Sequence, residues 1–266
     1  TLHDQNPIDG VFHYSIDHDN STNQLNNAIR KRKIDALHRC GNLTFICLGQ
    51  WMAKVIGSQT NVPYRVISNG IDLEIFKPTE QAEAREKLGL PTNKRIILFV
   101  AFNLNNKRKG FKYLSDICKN LGSDFYLISV GKEGSSQDYK SFGIIRDKKT
   151  LCLLYSSADL FVIPSLQDNQ PNTLTEAMAC GCPVIGFKNS GIIDMITPGK
   201  NGELVEESSE QLAKAIIKLS NDKVLLRKFS TEARRTAKKY YELNSSVQKH
   251  LQLYEEVLNK NSIKDP

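Results

Sequence analysis

Short apolar runs alternate with amphipathic segments through most of the chain. Four runs rich in β-branched and aromatic residues predict buried strands, at 94–100, 125–130, 160–163 and 183–186. Apolar residues at helical spacing lie between these runs and predict helices, at 111–121, 151–158 and 174–179. Because strands and helices alternate, the pattern predicts an α/β fold with a Rossmann-like, doubly wound parallel sheet.

The two ends of the chain have a less regular pattern. Before residue 70 we expect a long polar loop, a basic helix, a strand, a helix and a second strand, at 18–27, 26–39, 43–48, 50–56 and 64–67. A helix is expected from residue 81 and a short strand at 144–147. After residue 205 helices are expected at 208–219 and 222–241, the second with its basic residues on a solvated face. A last apolar stripe is expected to pack on residues 40–67, and it comprises Val247, Leu251, Tyr254, Val257 and Leu258.

The candidate chemistry lies between two of the predicted strands. The strand at 160–163 leads into the polar loop Gln167 to Pro171, which contains Asp168, and Asn172 and Thr173 are suitable caps for the helix that follows. The unpaired amides at this helix start, those of Asn172, Thr173 and Leu174, suit a phosphate or diphosphate. Glu176, within the first turns, is placed to accept hydrogen bonds from ribose hydroxyls. Spacing alone leaves an alternative open: Asp168 is a solvated loop residue, and Glu176 is an ordinary favourable charge near a helix N-terminus.

The stretch resembles the signature of retaining glycosyltransferase family 4, the glycosyl transferases group 1, which have the GT-B fold. The matching residues are Asp168, the run Glu176 to Gly181, Pro183-Val184, Ser190-Gly191, Asp194 and Asn201-Gly202. The resemblance implies that Glu176 binds the ribose, that Asp168 contacts the donor sugar near the reacting carbon, and that the amides of Asn172 and Thr173 hold the diphosphate. Asp168 replaces the usual Glu, and Pro171 replaces a usual Gly.

The same resemblance assigns further candidates. A basic loop, Asn103 to Gly110, follows the first strand of the sheet, and the family's diphosphate-binding Lys matches Lys109, while its Arg falls on Asn103. Arg108 either compensates or faces solvent. The remaining candidates are Gly131 in a turn near the base, the backbone near Ile145 and Arg146, and His3, which faces donor or acceptor or merely caps a loop.

The resemblance also implies a division of the chain. Ser68-Asn69-Gly70-Ile71-Asp72 resembles the family's interdomain linker. We therefore expect residues 1–68 to be the remnant of an N-terminal, acceptor-side domain, 69–240 to be the nucleotide-sugar-binding domain, and 241–266 to be a helix packing back on the N-terminal part. The chain begins at Thr1 without an initiator Met, so a fragment is expected.

The composition limits which classes of partner and which compartment we expect. The 266 residues include 36 basic and 29 acidic ones, a net charge of +7, which suits an anionic ligand or an acidic membrane face but is also common in proteins that bind neither. Without a basic and aromatic array we expect no nucleic acid partner, and without a run of about 18 apolar residues no membrane span. The six cysteines do not have the spacing of zinc ligands, and we expect them to be buried thiols in a reducing compartment. We expect a cytoplasmic protein, with peripheral association at the inner membrane surface as an alternative.

These observations lead to one expected function and two rivals. The expected function is transfer of a sugar from a nucleotide-diphosphate sugar, of UDP or GDP type, to a sugar or lipid-linked acceptor with retention, in polysaccharide or glycolipid biosynthesis. No metal or other cofactor is expected, because charge stabilisation of the leaving group is the main requirement. The rivals are a GT-B nucleotide-sugar epimerase and a non-catalytic nucleotide-binding fragment.

Overall fold

The structure is a computed structural model that describes residues 1–18, 23–132 and 139–262. Its strands are β1 (Phe45–Cys47), β2 (Tyr64–Val66), β3 (Arg95–Asn103), β4 (Phe125–Lys132), β5 (Lys140–Ser141), β6 (Leu160–Ile163), β7 (Val184–Phe187) and β8 (Gly202–Val205). Its α-helices are α1 (Asn23–Arg39), α2 (Gln50–Gly57), α3 (Gln81–Leu88), α4 (Phe111–Cys118), α5 (Lys148–Ser157), α6 (Asn172–Ala179), α7 (Ile192–Met195), α8 (Ser209–Ser220), α9 (Lys223–Tyr240) and α10 (Leu243–Ser262).

The larger sheet has the order β5-β4-β3-β6-β7-β8 in the described residues, and all of its pairings are parallel. Successive strands run outward from β3 in one direction and from β6 in the other, so the order reverses between them. Doubly wound sheets bind their ligands at such a reversal, at the carboxyl ends of the strands. The predicted α/β fold is therefore confirmed.

The strands of this sheet are buried on both faces because helices cover both. In β3, Ile96 and Leu98 face the core formed with α5, α6 and α9, whereas Ile97 and Phe99 face the core formed with α4 and α8. All four side chains are at most 2% exposed. Burial on both faces explains why the strand reads as a continuous apolar run instead of an alternating one.

The N-terminal residues form a smaller unit beside the sheet. β1 and β2 pair in parallel, and Leu2 forms a single parallel bridge with Cys47. Leu2, Cys47 and Met52 belong to the core of this unit. The last helix, α10, returns to it and buries Leu253 against Ile46.

The structure corrects the face of α10 that makes this contact. Leu253 and Val257, one turn apart, pack on the N-terminal unit, whereas most of the predicted stripe is exposed: Val247 44%, Leu251 48%, Tyr254 52% and Leu258 65%. Of the predicted stripe, Val257 alone is among the residues that pack there. The division of the chain into domains stays a prediction.

Other boundaries also differ from the sequence prediction. The predicted loop at 18–27 is wrong from Asn23 onward, where α1 begins, and residues 19–22 lie outside the described residues. No strand lies at 144–147, since the edge strand is the two-residue β5, and α5 begins earlier because the Asp147 carboxylate accepts from the amides of Lys149 and Thr150. β4 continues through Gly131 to Lys132, and the rest of the predicted glycine turn, 133–134, lies outside the described residues.

Contrary to the prediction, one basic residue of α9, Arg234, does not lie on a solvated face. The Arg234 guanidinium donates to the carbonyls of Phe76 at 2.7 Å, Ala179 at 2.6 Å and Leu73 at 3.3 Å. It thereby satisfies a carbonyl at the end of α6 and holds the segment before α3 against it. Among the described residues, no helix combines the length and the apolar composition needed to cross a bilayer.

Candidate functional site

The start of α6 lies at the carboxyl end of β6, beside the reversal of strand order. The helix begins at Asn172, with Pro171 as the N-cap residue and without a side-chain cap, so the predicted capping by Asn172 and Thr173 is wrong. The Leu174 amide donates to the Pro171 carbonyl at 3.1 Å, which means that it is not unpaired as predicted. Pro171, with φ −67°, is the N-cap residue, so the helix begins two residues before the predicted start at Leu174, and the Pro171 carbonyl is this acceptor. Within the described residues, no backbone partner is found for the amides of Asn172 and Thr173.

Glu176 lies one turn further into α6 and is held by a phenol. The Tyr155 hydroxyl, on α5, donates to Glu176 Oε2 at 2.7 Å, and the Tyr155 side chain is 0% exposed. Burial raises the pKa of Glu176, while the Tyr155 hydrogen bond and the Lys148 charge act in the opposite direction. Sequence reasoning missed Tyr155. The available signal was a tyrosine in the buried stripe of a helix, since a buried phenol needs a hydrogen-bond partner.

A cavity of about 720 Å³ opens beside this carboxylate. Its lining includes four of the predicted site residues, which come from three different segments of the chain: His3, Arg146, and Asn172 with Glu176 on α6. The segment Asn69 to Asp72, together with Leu243 at the start of α10, also lines it. The cavity therefore lies between the parallel sheet and the N-terminal unit, and the linker segment that joins the two forms part of its wall.

The second carboxylate, Asp168, is compensated by cations. Lys109 Nζ lies 2.6 Å from Asp168 Oδ2 and Arg108 Nη1 lies 3.8 Å from the same oxygen, with the Asp168 side chain 9% exposed. The Arg108 guanidinium also lies 4.3 Å from the centre of the Tyr14 ring and donates to the Gln167 carbonyl at 2.7 Å. Arg108 thus does not merely face solvent.

A glycine allows the two cations to approach. Lys107–Lys109 form a short 3-10 helix that ends at Gly110, whose φ is +71°. A Cβ at Gly110 would lie 1.8 Å from the Pro164 carbonyl oxygen, so this turn rests directly on the backbone that follows β6. The glycine that follows Lys109 is therefore required for steric reasons.

Polar side chains on both sides of Asp168 bind the N-terminal unit. Gln167 Nε2 donates to Gln5 Oε1 at 3.0 Å, and Gln167 Oε1 accepts from the Ile16 amide at 3.1 Å. Asn169 Nδ2 donates to the Leu2 carbonyl at 3.0 Å. The loop that carries Asp168 is thus fixed to the first residues of the chain, which sequence reasoning did not foresee.

Gln170 and Ser190 hold the same loop from two other directions. Gln170 pairs with both backbone groups of Asn69, accepting from the amide at 2.8 Å and donating to the carbonyl at 3.2 Å. Ser190, at φ +43°, accepts from the Asp168 amide through Oγ at 2.9 Å. A positive φ is strained at a residue other than glycine. At Ser190 the strained conformation places Oγ where it accepts the hydrogen bond from the Asp168 amide.

The other seven predicted site residues do not line the cavity: Asn103, Arg108, Lys109, Gly131, Asp168, Thr173 and Leu174. Asn103, at the end of β3, accepts from the Asn105 amide at 2.7 Å, and the Gly131 amide, near the end of β4, donates to the Gly143 carbonyl at 2.8 Å. A Cβ at Gly131, whose φ is +151°, would lie 2.1 Å from the Ala101 carbonyl oxygen. Their roles in donor binding stay predictions. In the part of the chain that the structure describes, no group of three or more His, Cys, Asp or Glu residues is arranged to hold a metal ion.

Comparisons with known proteins agree with this architecture. A family model described as glycosyl transferases group 1 matches residues 80–236, more than half of the chain. The D-inositol 3-phosphate glycosyltransferase of Mycolicibacterium smegmatis is 27% identical over 155 residues, which are 53% of this chain and 36% of that protein. Its Mycobacterium tuberculosis counterpart is 27% identical over 154 residues, or 53% of this chain and 32% of the relative. The chain thus matches about a third of the length of these curated relatives.

Solved structures resemble the chain over more of its length. Sucrose-phosphate synthase from Thermosynechococcus elongatus superposes with a TM-score of 0.78 at 23% identity, covering 92% of this chain and 63% of that one. Anabaena HepE in complex with UDP-glucose gives a TM-score of 0.74 at 21% identity, with 91% and 70% covered. At these identities the likeness concerns the fold, and it confirms the predicted GT-B type.

Proposed function

The chain belongs to the glycosyl transferases group 1 family, and on this premise we propose that it transfers a sugar from a nucleotide-diphosphate sugar to a hydroxyl acceptor with retention at the anomeric carbon. The observation that carries the proposal is the cavity of about 720 Å³ that brings Glu176, Asn172, Arg146 and His3 together at the start of α6. A concave site with a few convergent polar groups at the reversal of a doubly wound sheet suits a nucleotide.

Glu176 accepts hydrogen bonds from the ribose hydroxyls. Its Oε2 accepts from the Tyr155 hydroxyl at 2.7 Å, which leaves the lone pairs of Oε1 and one lone pair of Oε2 for a ribose diol. Tyr155 fixes the orientation of the carboxylate, and a neutral donor leaves its charge for the ligand. The base lies toward Arg146, which lines the same cavity.

The diphosphate lies between the start of α6 and Lys109. The amides of Asn172 and Thr173 lie at the positive end of the helix dipole, and the Lys109 ammonium supplies a full positive charge. Both stabilise the negative charge that develops on the leaving diphosphate, which is the main requirement of such a transfer. Asp168, 2.6 Å from Lys109, orients the donor sugar, and His3 faces the reacting groups.

The donor is of UDP or GDP type, and the acceptor is a sugar or a lipid-linked sugar in polysaccharide or glycolipid biosynthesis. The UDP-glucose complex of Anabaena HepE supports the first of these nucleotides. The mycobacterial relatives act, by name, on D-inositol 3-phosphate, which supports a hydroxyl acceptor. The reaction takes place in the cytoplasm or at the inner membrane surface.

Calorimetric titration of the chain with UDP, GDP and ADP tests the proposal. We expect one nucleotide to bind and Glu176→Ala to weaken it by about tenfold or more, because a hydrogen bond to a charged group contributes about 1.5–3 kcal/mol. Glu210→Ala, which removes an exposed carboxylate of α8 paired with Lys214, is the matched control and leaves the affinity unchanged. If none of the three nucleotides binds, the proposal fails.

The first alternative is a non-catalytic nucleotide-binding protein. On this alternative, the expectation is that the 266 residues bind the nucleotide and turn over poorly. Robust transfer by this chain would contradict that expectation. Isomer exchange of the nucleotide sugar without transfer would instead identify the epimerase alternative.

A further inference from the structure

We propose that Asp168 is a specificity-determining residue, which weakens the binding of the free nucleoside diphosphate relative to the intact nucleotide sugar. This inference rests on the proposed function. It assigns to the Asp168 charge a task beyond contact with the donor sugar, namely the discrimination between substrate and product at the diphosphate site.

The geometry sets how near this charge lies to the diphosphate. Lys109 Nζ is 2.6 Å from Asp168 Oδ2, and a phosphate oxygen bonded to the same ammonium lies about 2.8 Å from it. That oxygen is consequently within about 5.4 Å of the carboxylate, whatever its direction. Arg108 Nη1, 3.8 Å from Asp168 Oδ2, is the second cation of the group. Two cations and one carboxylate leave a single net positive charge facing the ligand.

The two ligands differ in charge at this position. In a nucleotide sugar each phosphate is a diester and carries one negative charge. The free diphosphate carries a further charge on its terminal phosphate near neutral pH, because the second ionisation of a phosphate monoester has a pKa near 6. A carboxylate within about 5.4 Å repels this additional charge. The donor sugar instead presents hydroxyl groups, which donate to the same carboxylate.

Burial keeps this repulsion from being screened. The Asp168 side chain is 9% exposed and the Lys109 side chain 25% exposed, so solvent and salt reduce the interaction less than at the surface. The carboxylate is also held in place, since its backbone amide donates to Ser190 Oγ at 2.9 Å and its carbonyl accepts from the Gly191 amide at 2.8 Å. In a reaction cycle the same repulsion favours release of the nucleoside diphosphate after transfer.

Titration of the chain and of Asp168→Asn with UDP and UDP-glucose tests this inference, with GDP and GDP-mannose as the second pair of probes. We expect the variant to bind the free diphosphate more tightly and the nucleotide sugar more weakly. The ratio of the two dissociation constants should change by about tenfold or more at low salt. Asp168→Glu, which keeps the charge, should retain the ratio of the unchanged chain.

Two further variants separate the possible outcomes. Glu176→Gln removes a carboxylate from the ribose side and should weaken both ligands by the same factor. Lys109→Gln leaves Arg108 as the cation beside Asp168 and should weaken UDP more than UDP-glucose, because the free diphosphate carries the additional negative charge. If the unchanged chain binds no nucleotide, the proposed function itself fails. If it binds both ligands and the substitutions at 168 and 109 leave their ratio unchanged, only the present inference is overturned.

Discussion

Asp168 and Glu176 are the same kind of group at two ends of one short segment, yet their surroundings differ. Glu176 accepts from a neutral phenol, Tyr155, at 2.7 Å. Asp168 lies 2.6 Å from the Lys109 ammonium, with the Arg108 guanidinium at 3.8 Å. Among the described residues, Glu176 forms no ion pair, although the Lys148 charge acts on it, whereas Asp168 is part of an ion-pair cluster.

Under the proposed function, this difference assigns a separate task to each carboxylate. A carboxylate oriented by a neutral donor accepts hydroxyl groups with its full charge, and burial raises the pKa of Glu176 at the same time. A carboxylate paired with cations limits how much negative charge the site accepts. Pairs of acids whose environments differ in this way are a recurring property of active sites. The predictions below test each half of the comparison through the free energy of unfolding.

Lys109→Met has the largest expected effect. It leaves the buried Asp168 carboxylate without its nearest cation, and the free energy of unfolding should fall by about 2 kcal/mol. The loss is below that of a fully buried pair because the Lys109 side chain is 25% exposed and Arg108 remains 3.8 Å from Asp168. Urea unfolding measures it. Lys107→Met, at an exposed position of the same turn, is the control, and an equal loss there would refute the explanation.

Tyr155→Phe has an intermediate effect that depends on pH. It removes the donor to Glu176 and should lower the free energy of unfolding by about 1 kcal/mol near neutral pH. The folded-state pKa of Glu176 is already raised by burial, so ionisation of this acid costs stability as the pH rises through that pKa, and the variant increases that cost. The difference between the two proteins should therefore shrink as the pH falls toward about 4, the ordinary Glu value.

Urea unfolding at acidic and neutral pH tests this dependence, with Tyr113→Phe as the matched control. Tyr113 lies on α4, and its ring packs edge-on to Phe187 at 5.2 Å. Its substitution should change the free energy of unfolding by less than about 0.5 kcal/mol at either pH. A loss for Tyr155→Phe that is equal at both pH values would mean that the phenol does not act through Glu176.

Substitutions at Ser190 have the smallest expected effects and test how firmly the Asp168 backbone is held. Ser190→Ala keeps the strained φ of +43° and loses the 2.9 Å hydrogen bond to the Asp168 amide, so it should cost about 1 kcal/mol. Ser190→Gly loses the same bond but relieves the strain, and the two effects should nearly cancel. Thermal unfolding compares them. A Gly variant less stable than the Ala variant would contradict this assignment.

The sequence was sufficient for the elements that position the site. Apolar runs such as that of β3 identify buried parallel strands, and the strand, loop and helix order around Asp168 and Glu176 predicts that both lie at the carboxyl edge of the sheet. β5 was missed because two residues, Lys140–Ser141, are too short and polar to produce an apolar pattern. The prediction placed a strand at 144–147 instead, because Ile144-Ile145 is apolar.

The contacts that orient the two carboxylates were beyond sequence reasoning. Lys109 and Asp168 are separated by 59 residues in the chain, Tyr155 and Glu176 by 21. Their pairing depends on how the 3-10 turn meets the loop and how α5 packs on α6. Hydrophobic periodicity gives the faces of single helices but not their mutual placement. Resemblance supplied Lys109 and the two acids, and it supplied neither Tyr155 nor the orientation of any side chain.

The bonds of Gln167, Asn169 and Gln170 to the first sixteen residues and to Asn69 bear on how such proteins can be recombined. A chimera that joins residues 69–262 of this chain to the N-terminal part of a relative would break the bonds to the first sixteen residues, even with the crossover placed at Asn69. The short polar loop and the segments that it binds form one unit of exchange. An engineer who exchanges the N-terminal residues for those of a relative should transplant residues 167–170 together with them.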